Sequence, residues 1–297
     1  MTTSGTDRLA PPSAALRARL EALRVSRDFP WRETRDPWRI LVAELCCQQT
    51  QARRAVAVYE RCCERFPTPA DCAAAPLADV LEAWRGLGYY RRARALHAAA
   101  AAIVATHGGQ VPDDLGALLA LPGVGPYTAR AVLCFAFERD VGIVDTNVAR
   151  VLARAVANRP LAAREAQVLA DDLVPAGRAW AHNQAMLDLG ATRCGPTPDC
   201  AGCPLRACCR WRRAGAGLPD PAVRTAFASR PQPRFAGSDR EGRGRLLAAV
   251  LDGPLGRASL AAAAGWPEDP ARAARVADSL VADGLVEVKG DVWRARR

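Results

Sequence analysis

Five cysteines lie in one short segment, and they restrict the fold of the chain more than any other feature. They are Cys194, Cys200, Cys203, Cys208 and Cys209. Four thiolates at such spacings can enclose one metal centre, either zinc or an iron–sulfur cluster. Disulfides fit less well, because the first 30 residues contain no apolar signal sequence. A cytoplasmic location is therefore expected, where cysteines are more often ligands than bridges.

The chain is strongly basic, with a formal net charge of +10 over 297 residues. A positive balance of this size predicts a polyanionic partner. Several arginines surround the cysteines, where they can hold a phosphate backbone. They are Arg193, Arg206, Arg210, Arg212 and Arg213. No run approaches the ~20 apolar residues of a membrane span, so no membrane partner is expected.

Changes in composition divide the chain into four regions. Residues 1–12 are polar and are expected to be disordered. Helical spacing of apolar residues predicts an all-α domain over 13–214, and the Pro-rich segment 215–236 is typical of a linker. Residues 237–297 show three helical stretches and a hairpin pattern, which predict a small α+β winged-helix-like module. Its basic residues are expected to add mainly nonspecific affinity for DNA, or only stability.

A glycine-rich turn lies between two helical stretches at Leu121–Ala129. Gly123 and Gly125 leave room for a phosphate to approach the backbone, and Pro126 suits the first position of the following helix. The pattern predicts a helix–hairpin–helix contact with DNA.

Two acidic residues stand in unusual surroundings. Glu44 lies within an apolar helical stretch, where a charge is costly and a raised pKa would suit a general acid. Asp145 follows an apolar run and precedes Thr146-Asn147, where it can cap a helix or act as a second carboxylate. Together the two groups would suit cleavage of a glycosidic bond.

These segments give the chain a family resemblance. Residues 28–213 resemble the helix–hairpin–helix (HhH-GPD) base-excision DNA glycosylases, and most closely the MutY-type adenine glycosylases. The matching stretches, in the order of the family, are Phe29–Arg32, Glu44–Thr50, Gly86–Tyr90, Leu121–Ala129, Val144–Asn147, Asn183–Gly190 and the cysteine loop 194–209.

The resemblance implies a two-lobed, all-α glycosylase fold and specific residue roles. Glu44 would protonate the leaving base, and Asp145 would stabilise the sugar cation. Four residues would surround the extruded base: Arg32, Tyr127, Asn147 and Asp188. The lesion side of the DNA would be contacted by Gln49, Thr50, Leu87 and Tyr89, and its backbone by Gly123 and Gly125. A [4Fe–4S] cluster would be bound by Cys194, Cys200, Cys203 and Cys209.

The implied activity is monofunctional hydrolysis of the N-glycosidic bond of adenine opposite 8-oxoguanine or guanine. The expected partner is double-stranded DNA with a mismatched or oxidised base pair, bound by a monomer. Tyr127 stands where endonuclease III-type enzymes carry a lysine. Because Lys289 is the only lysine of the chain, a lysine-dependent lyase is excluded at this site.

Three departures from the family pattern weaken parts of this assignment. Cys194 and Cys200 enclose one residue fewer than the family usually has, and Cys208 beside Cys209 leaves the fourth ligand ambiguous. Cys46-Cys47 replaces a bulkier apolar pair. The tail is also too short for the usual Nudix-like domain that recognises 8-oxoguanine.

Two other functions stay open at this point. A glycosylase that removes thymine or uracil from G·T or G·U pairs shares most of these motifs. A non-catalytic iron–sulfur DNA-binding regulator would suit the basic charge, but it would need neither Glu44 nor Asp145.

Overall fold

The computed structural model describes residues 11–227 and 234–296. Most of the helices lie before residue 214: α1 (Ala14–Glu21), α2 (Pro37–Cys47), α3 (Ala52–Arg65), α4 (Pro69–Ala74), α5 (Leu77–Ala83), α6 (Arg91–His107), α7 (Leu115–Ala120), α8 (Pro126–Phe135), α9 (Thr146–Val151), α10 (Ala163–Leu173), α11 (Ala179–Thr192) and α12 (Arg210–Arg213). The remaining elements are α13 (Asp239–Asp252), β1 (Leu255–Gly256), α14 (Leu260–Ala264), α15 (Pro270–Ala282), β2 (Val286–Lys289) and β3 (Val292–Ala295). The predicted helical character is confirmed. Within the described residues, no helix is long and apolar enough to cross a membrane.

The chain forms two compact units, and each unit is built from two separate segments of the chain. The first unit contains the described parts of Met1–Asp28 and Leu133–Arg230, and the second contains those of Phe29–Val132 and Pro231–Arg297. The predicted domain boundaries follow the order of the sequence and stay a prediction.

Helix α11 forms the centre of the first unit. It is buried from His182 to Gly190, and polar side chains in this stretch are hydrogen-bonded, as Asn183 is to the Val141 carbonyl (2.9 Å). A Cβ atom on Gly190 would lie 2.5 Å from the carbonyl oxygen of Asn147. Glycine therefore permits the close packing of α11 against α9.

The first part of the predicted linker is anchored to this unit. The Thr225 hydroxyl accepts a hydrogen bond from the Leu161 amide (3.2 Å), and the Ala226 amide donates to the Leu161 carbonyl (2.9 Å). Residues 228–233, the middle of the predicted linker, lie outside the described residues, as do residues 1–10.

Helix α2 organises the second unit. Its start is fixed by Asp36, whose carboxylate accepts hydrogen bonds from the amides of Trp38 (2.9 Å) and Arg39 (3.3 Å). The Trp38 indole donates to the Phe66 carbonyl (2.9 Å), which ties α2 to the end of α3. Every residue from Ile40 to Cys46 is buried, so α2 lies inside this unit.

The glycine-rich turn between α7 and α8 lies in the same unit. Gly123 has a φ of +77°, and a Cβ atom there would lie 2.6 Å from the Cβ of Ala95. Both the backbone conformation and the close approach to α6 require glycine. The predicted hairpin between helices is therefore present.

The C-terminal residues 234–296, named here the C-terminal module, combine α13–α15 with a three-stranded antiparallel sheet of order β1-β3-β2. Trp293 pairs with Val288 and is 1% exposed, which makes it the largest apolar group of this core. The module belongs to the second unit, where the Ala78 amide donates to the Arg296 carbonyl (3.1 Å).

Two helical glycines provide a matched test of this packing. We expect Gly190→Ala to lower the free energy of unfolding by about 1–3 kcal/mol, because the added methyl group overlaps the Asn147 backbone. Gly244→Ala in α13 meets nothing within 4 Å. It should stabilise the protein by about 0.5–1 kcal/mol, since alanine is the better helix former. Denaturant unfolding measures both changes, and equal effects of the two would contradict the close packing of α9 and α11.

Candidate active site and cysteine loop

Glu44 lies on α2 in the second unit and is 8% exposed. Its neighbours along the helix, Ala43 and Leu45, are fully buried. A buried carboxyl group on an apolar helix is the type of residue that can serve as a general acid.

Gln48 joins the end of α2 to the glycine hairpin. Its side-chain amide donates to the Gly123 carbonyl (3.1 Å) and to the Thr128 hydroxyl (3.3 Å). One helical turn separates Gln48 from Glu44, and the backbone amide of Gln48 donates to the backbone carbonyl of Glu44 (3.2 Å). Gln48 thus fixes the hairpin relative to α2, the helix that carries Glu44. Sequence reasoning missed this role of Gln48.

Arg92 was also missed, although it connects the two segments predicted to face the lesion. Its guanidinium donates to the carbonyls of Leu45 (3.1 Å), Cys46 (2.7 Å) and Gln48 at the end of α2. It also donates to the Gly88 carbonyl (3.3 Å). An arginine within an Ala- and Arg-rich helix gives no sequence signal of this role.

The predicted lesion-side residues come from these two segments. Gln49 and Tyr89 are exposed and have positive φ values of 53° and 48°, while Thr50 is half-buried. Leu87 is 5% exposed, so it is buried in this structure. The loop 86–89 has a left-handed conformation at Gly86, Gly88 and Tyr89.

Asp145 lies in the first unit at the start of α9. One carboxylate oxygen accepts a hydrogen bond from the Val148 amide (2.7 Å), and the other accepts from the Asn147 side-chain amide (2.6 Å). Burial raises the pKa of Asp145, while these hydrogen bonds and the positive charge of Arg150 oppose that rise. The carboxylate therefore caps α9 and is at the same time held in a definite orientation.

Asn147 and Arg150 extend this arrangement to the cysteine loop. The Arg150 guanidinium donates to the Asn147 side-chain oxygen (2.7 Å), to the Gly190 carbonyl (2.8 Å) and to the Cys194 carbonyl (2.9 Å). A chain of hydrogen bonds thus runs from Cys194 through Arg150 and Asn147 to Asp145.

The residues predicted around the extruded base have different environments. In the second unit, Arg32 is 9% exposed with its guanidinium 5.3 Å from the centre of the Phe29 ring, and Tyr127 is half-buried in the first turn of α8. In the first unit, Asp188 is 1% exposed. Its carboxylate accepts from the Arg27 side chain (2.6 Å) and from the Ser26 amide (2.7 Å), so it anchors the segment before residue 28.

The cysteine loop encloses a cavity in the first unit. Four cysteines line it: Cys194, Cys200, Cys203 and Cys209. Cys208 is not among the lining residues, and its thiol donates instead to the Leu205 carbonyl (3.4 Å). Across residues 11–227 and 234–296, no three His, Cys, Asp or Glu side chains are arranged to hold a single metal ion.

Arg154 holds the cysteine loop in place from the first turn after α9. It is 2% exposed and lies in the π-helical segment Leu152–Ala157. Its guanidinium donates to the Gly195 carbonyl (2.7 Å), to the Cys194 sulfur (3.4 Å) and to Asp220 (2.6 Å). Sequence reasoning missed Arg154, although an arginine within the apolar run 151–156 is a signal that could have indicated a buried, paired charge.

Comparison with known proteins identifies the family. Residues 42–175 match the model of the HhH-GPD superfamily base excision DNA repair protein. An adenine DNA glycosylase of Mycolicibacterium smegmatis is 44% identical over 272 residues, which cover 89% of each chain. The adenine DNA glycosylase of Mycobacterium tuberculosis is 46% identical over 274 residues, covering 89% of this chain and 86% of its own.

More distant relatives match a smaller share of the chain. Human adenine DNA glycosylase is 39% identical over 202 residues, which are 63% of this chain and 37% of the human protein. Among solved structures, a thermostable thymine-DNA glycosylase superposes with a TM-score of 0.61 at 30% identity and covers 68% of this chain and 94% of its own. A trapped endonuclease III–DNA covalent intermediate superposes at 0.58 with 26% identity, over 68% of this chain and 98% of its own. The chain therefore belongs to the MutY-type adenine DNA glycosylase family of the HhH-GPD superfamily.

Proposed function

We propose that the protein is a monofunctional DNA glycosylase of base-excision repair. It hydrolyses the N-glycosidic bond of adenine paired with 8-oxoguanine or guanine in double-stranded DNA, and it acts as a monomer. Similarity to adenine glycosylases over 89% of the chain supports the substrate. The observation that carries the chemistry is Glu44, a carboxyl group 8% exposed on an apolar helix that Gln48 ties to the hairpin.

The proposed reaction divides the work between two carboxyl groups. Glu44 donates a proton to the leaving adenine, which makes the base a better leaving group, and then accepts a proton from the attacking water. Asp145 stays ionised and stabilises the positive charge that develops on the sugar. Asn147 and Arg150 favour that ionised form, because both interact with the charged carboxylate.

The other proposed contacts follow the sequence predictions. Arg32, Tyr127, Asn147 and Asp188 surround the extruded base, with Asn147 and Asp188 acting through the residues that they hold. The hairpin glycines Gly123 and Gly125 approach the DNA backbone, and the exposed Gln49 and Tyr89 contact the opposite base together with Thr50 and Leu87. Extrusion of the base costs a few kcal/mol, which such contacts offset.

The residues of the cysteine loop fit the [4Fe–4S] cluster that the family resemblance implies. Such a cluster is held by four Cys thiolates. Four cysteines line one cavity in this loop. The cluster would be held by Cys194, Cys200, Cys203 and Cys209. Its binding would stabilise the folded conformation of the loop.

The surface beside this loop suits a phosphate backbone. Four arginines line an open recess there: Arg19, Arg206, Arg212 and Arg213. By contrast, Arg193 forms an ion pair with Asp199 and so contributes less free charge. The loop would then place positive charge against DNA only while it remains folded.

The domain assignment completes the proposal. Residues 13–214 form the glycosylase domain, and residues 237–297 form a winged-helix-like module. Three helices and an antiparallel sheet with its last two strands in a hairpin support the second assignment.

The second candidate is removal of thymine from G·T pairs. The superposition on a thymine-DNA glycosylase favours it, at a lower identity and over less of the chain than the adenine-glycosylase relatives. A regulator without activity is less favoured, because a binding module does not need a carboxyl group such as Glu44 within a buried apolar helix.

Substitution of Glu44 tests the proposed chemistry. Glu44→Gln keeps the shape of the side chain but cannot deliver a proton, so we expect adenine excision to fall at least ~10²–10⁴-fold. Single-turnover excision is measured on duplexes with A·8-oxoguanine, A·G, G·T and G·U pairs, and binding is measured on the same duplexes. Binding should change little. Full activity of the variant would remove Glu44 from the mechanism, and excision of thymine rather than adenine by the unaltered protein would establish the second candidate.

A pair of cysteine substitutions tests the cluster. Cys200→Ser should lose iron and DNA affinity together, because the arginines of the loop are no longer held in place. Cys208→Ser is the matched control and should keep both, since Cys208 does not line the cavity. Iron content, visible absorption and DNA affinity are the measurements. Stoichiometric zinc without iron in anaerobically purified protein, or equal loss of iron in both variants, would contradict the ligand set.

A further inference from the structure

The C-terminal module contacts the loop 86–89 directly. Arg240, in the first turn of α13, donates a hydrogen bond to the Tyr89 hydroxyl (3.2 Å). Tyr89 is 40% exposed, so this hydroxyl lies at the surface of the second unit. The guanidinium of Arg92 lies 5.3 Å from the centre of the same ring. Tyr89 is thus contacted by Arg92, three residues further along the chain, and by Arg240 from the C-terminal module.

A second contact fixes the residues that follow the loop. Asp283, directly after α15, accepts hydrogen bonds from both Arg91 and Arg243, and its backbone carbonyl accepts from Arg94 (2.7 Å). Its side chain is only 11% exposed, and the hydrogen bond from Arg91 is the main reason that its pKa is lowered. Because Arg91 and Arg94 form the first turn of α6, the module holds the point at which the loop ends.

The conformation of the loop needs such support. Gly86, Gly88 and Tyr89 all have positive φ values, 95°, 72° and 48°. This region is unfavourable for a tyrosine and persists only where surrounding contacts enforce it. The contacts of Tyr89 with Arg92 and with Arg240 of the C-terminal module stabilise this conformation.

The basic residues of the module, by contrast, are mostly neutralised within it. Arg243 pairs with Asp283, Arg245 with Glu241 (2.7 Å) and Arg272 with Asp239 (2.7 Å). Paired charges attract phosphates less than free ones, so these three arginines would add less nonspecific affinity than unpaired arginines would. The expectation that the tail adds mainly nonspecific affinity, or only stability, stays a prediction.

We propose that the C-terminal module sets the opposite-base preference of this glycosylase by fixing the conformation of loop 86–89. Arg240 and Asp283 are positioning residues, which act through Tyr89 and through the first turn of α6. The inference rests on the proposed function, in which this loop contacts the base opposite the excised adenine. The module would then act on the lesion side through the catalytic part of the chain.

The ratio of two excision rates tests this inference in the full-length protein. We expect Arg240→Ala to lower the single-turnover rate on A·8-oxoguanine relative to A·G by about 3- to 10-fold, the effect of one hydrogen bond. Tyr89→Phe removes the other partner of that bond while keeping the ring, and it should lower the ratio similarly. Because both changes delete the same interaction, the double variant should lower the ratio no further than either single variant.

Arg257→Ala is the matched control, since it removes an exposed arginine of the same module that pairs with Asp291 (2.8 Å). It should leave the ratio unchanged. Equal slowing on both duplexes by Arg240→Ala, or an unchanged ratio in both Arg240→Ala and Tyr89→Phe, would overturn the inference while the proposed function stands. Failure of the unaltered protein to excise adenine from either duplex would instead refute the proposed function, and this inference with it.

Discussion

The structure depends most on one chain of hydrogen bonds in the first unit, from the Cys194 carbonyl through Arg150 and Asn147 to Asp145. Each link is between 2.6 and 2.9 Å long. The orientation of Asp145 is therefore coupled to the fold of the cysteine loop. Under the proposed function, a cluster held by this loop would in this way help to orient the proposed catalytic carboxylate of Asp145.

Buried arginines perform the same task at three places. Arg92 donates hydrogen bonds to the carbonyl groups at the end of α2. Arg150 joins α9 to the start of the cysteine loop, and Arg154 donates to a carbonyl within that loop. A guanidinium carries five donors in a rigid plane, so one side chain can satisfy several backbone carbonyls that helix ends and turns leave unpaired. In each case the cost of burying the charge is offset by these hydrogen bonds. The conformations of the functional loops follow from them.

The sequence predicted those features that depend on local pattern. Helical spacing, the hairpin glycines and the family motifs were enough to predict the helical fold and the family. The cysteine spacing typical of the family favoured Cys209 over Cys208 as the fourth ligand, and Cys209 lines the cavity. The contacts of Arg92 with the end of α2, and of Arg150 and Arg154 with the cysteine loop, were not predictable. Each of these joins residues about 40 or more positions apart, and arginine is common throughout this chain. For the same reason the anchoring of segment 215–227 and the contact of Arg240 with Tyr89 appear only in three dimensions. Asp188 was predicted near the base; it is 1% exposed and accepts hydrogen bonds from Ser26 and Arg27, an environment that the motif did not predict.

Titration of Asp145 tests the central claim most directly, namely that this hydrogen-bond chain keeps the carboxylate ionised. Burial already raises its pKa, and Asn147→Ala removes a hydrogen bond that opposes the rise. The pKa of Asp145, followed by carbon NMR of labelled aspartate carboxyls, should therefore move further upward in the variant, and the ionised form should be lost at a higher pH as the solution is acidified. Thr146→Ala, on the same turn but outside the chain, serves as the control and should leave the pKa where it is. An Asp145 pKa that stays unchanged or falls in Asn147→Ala would show that the carboxylate does not depend on this chain, and would contradict the account.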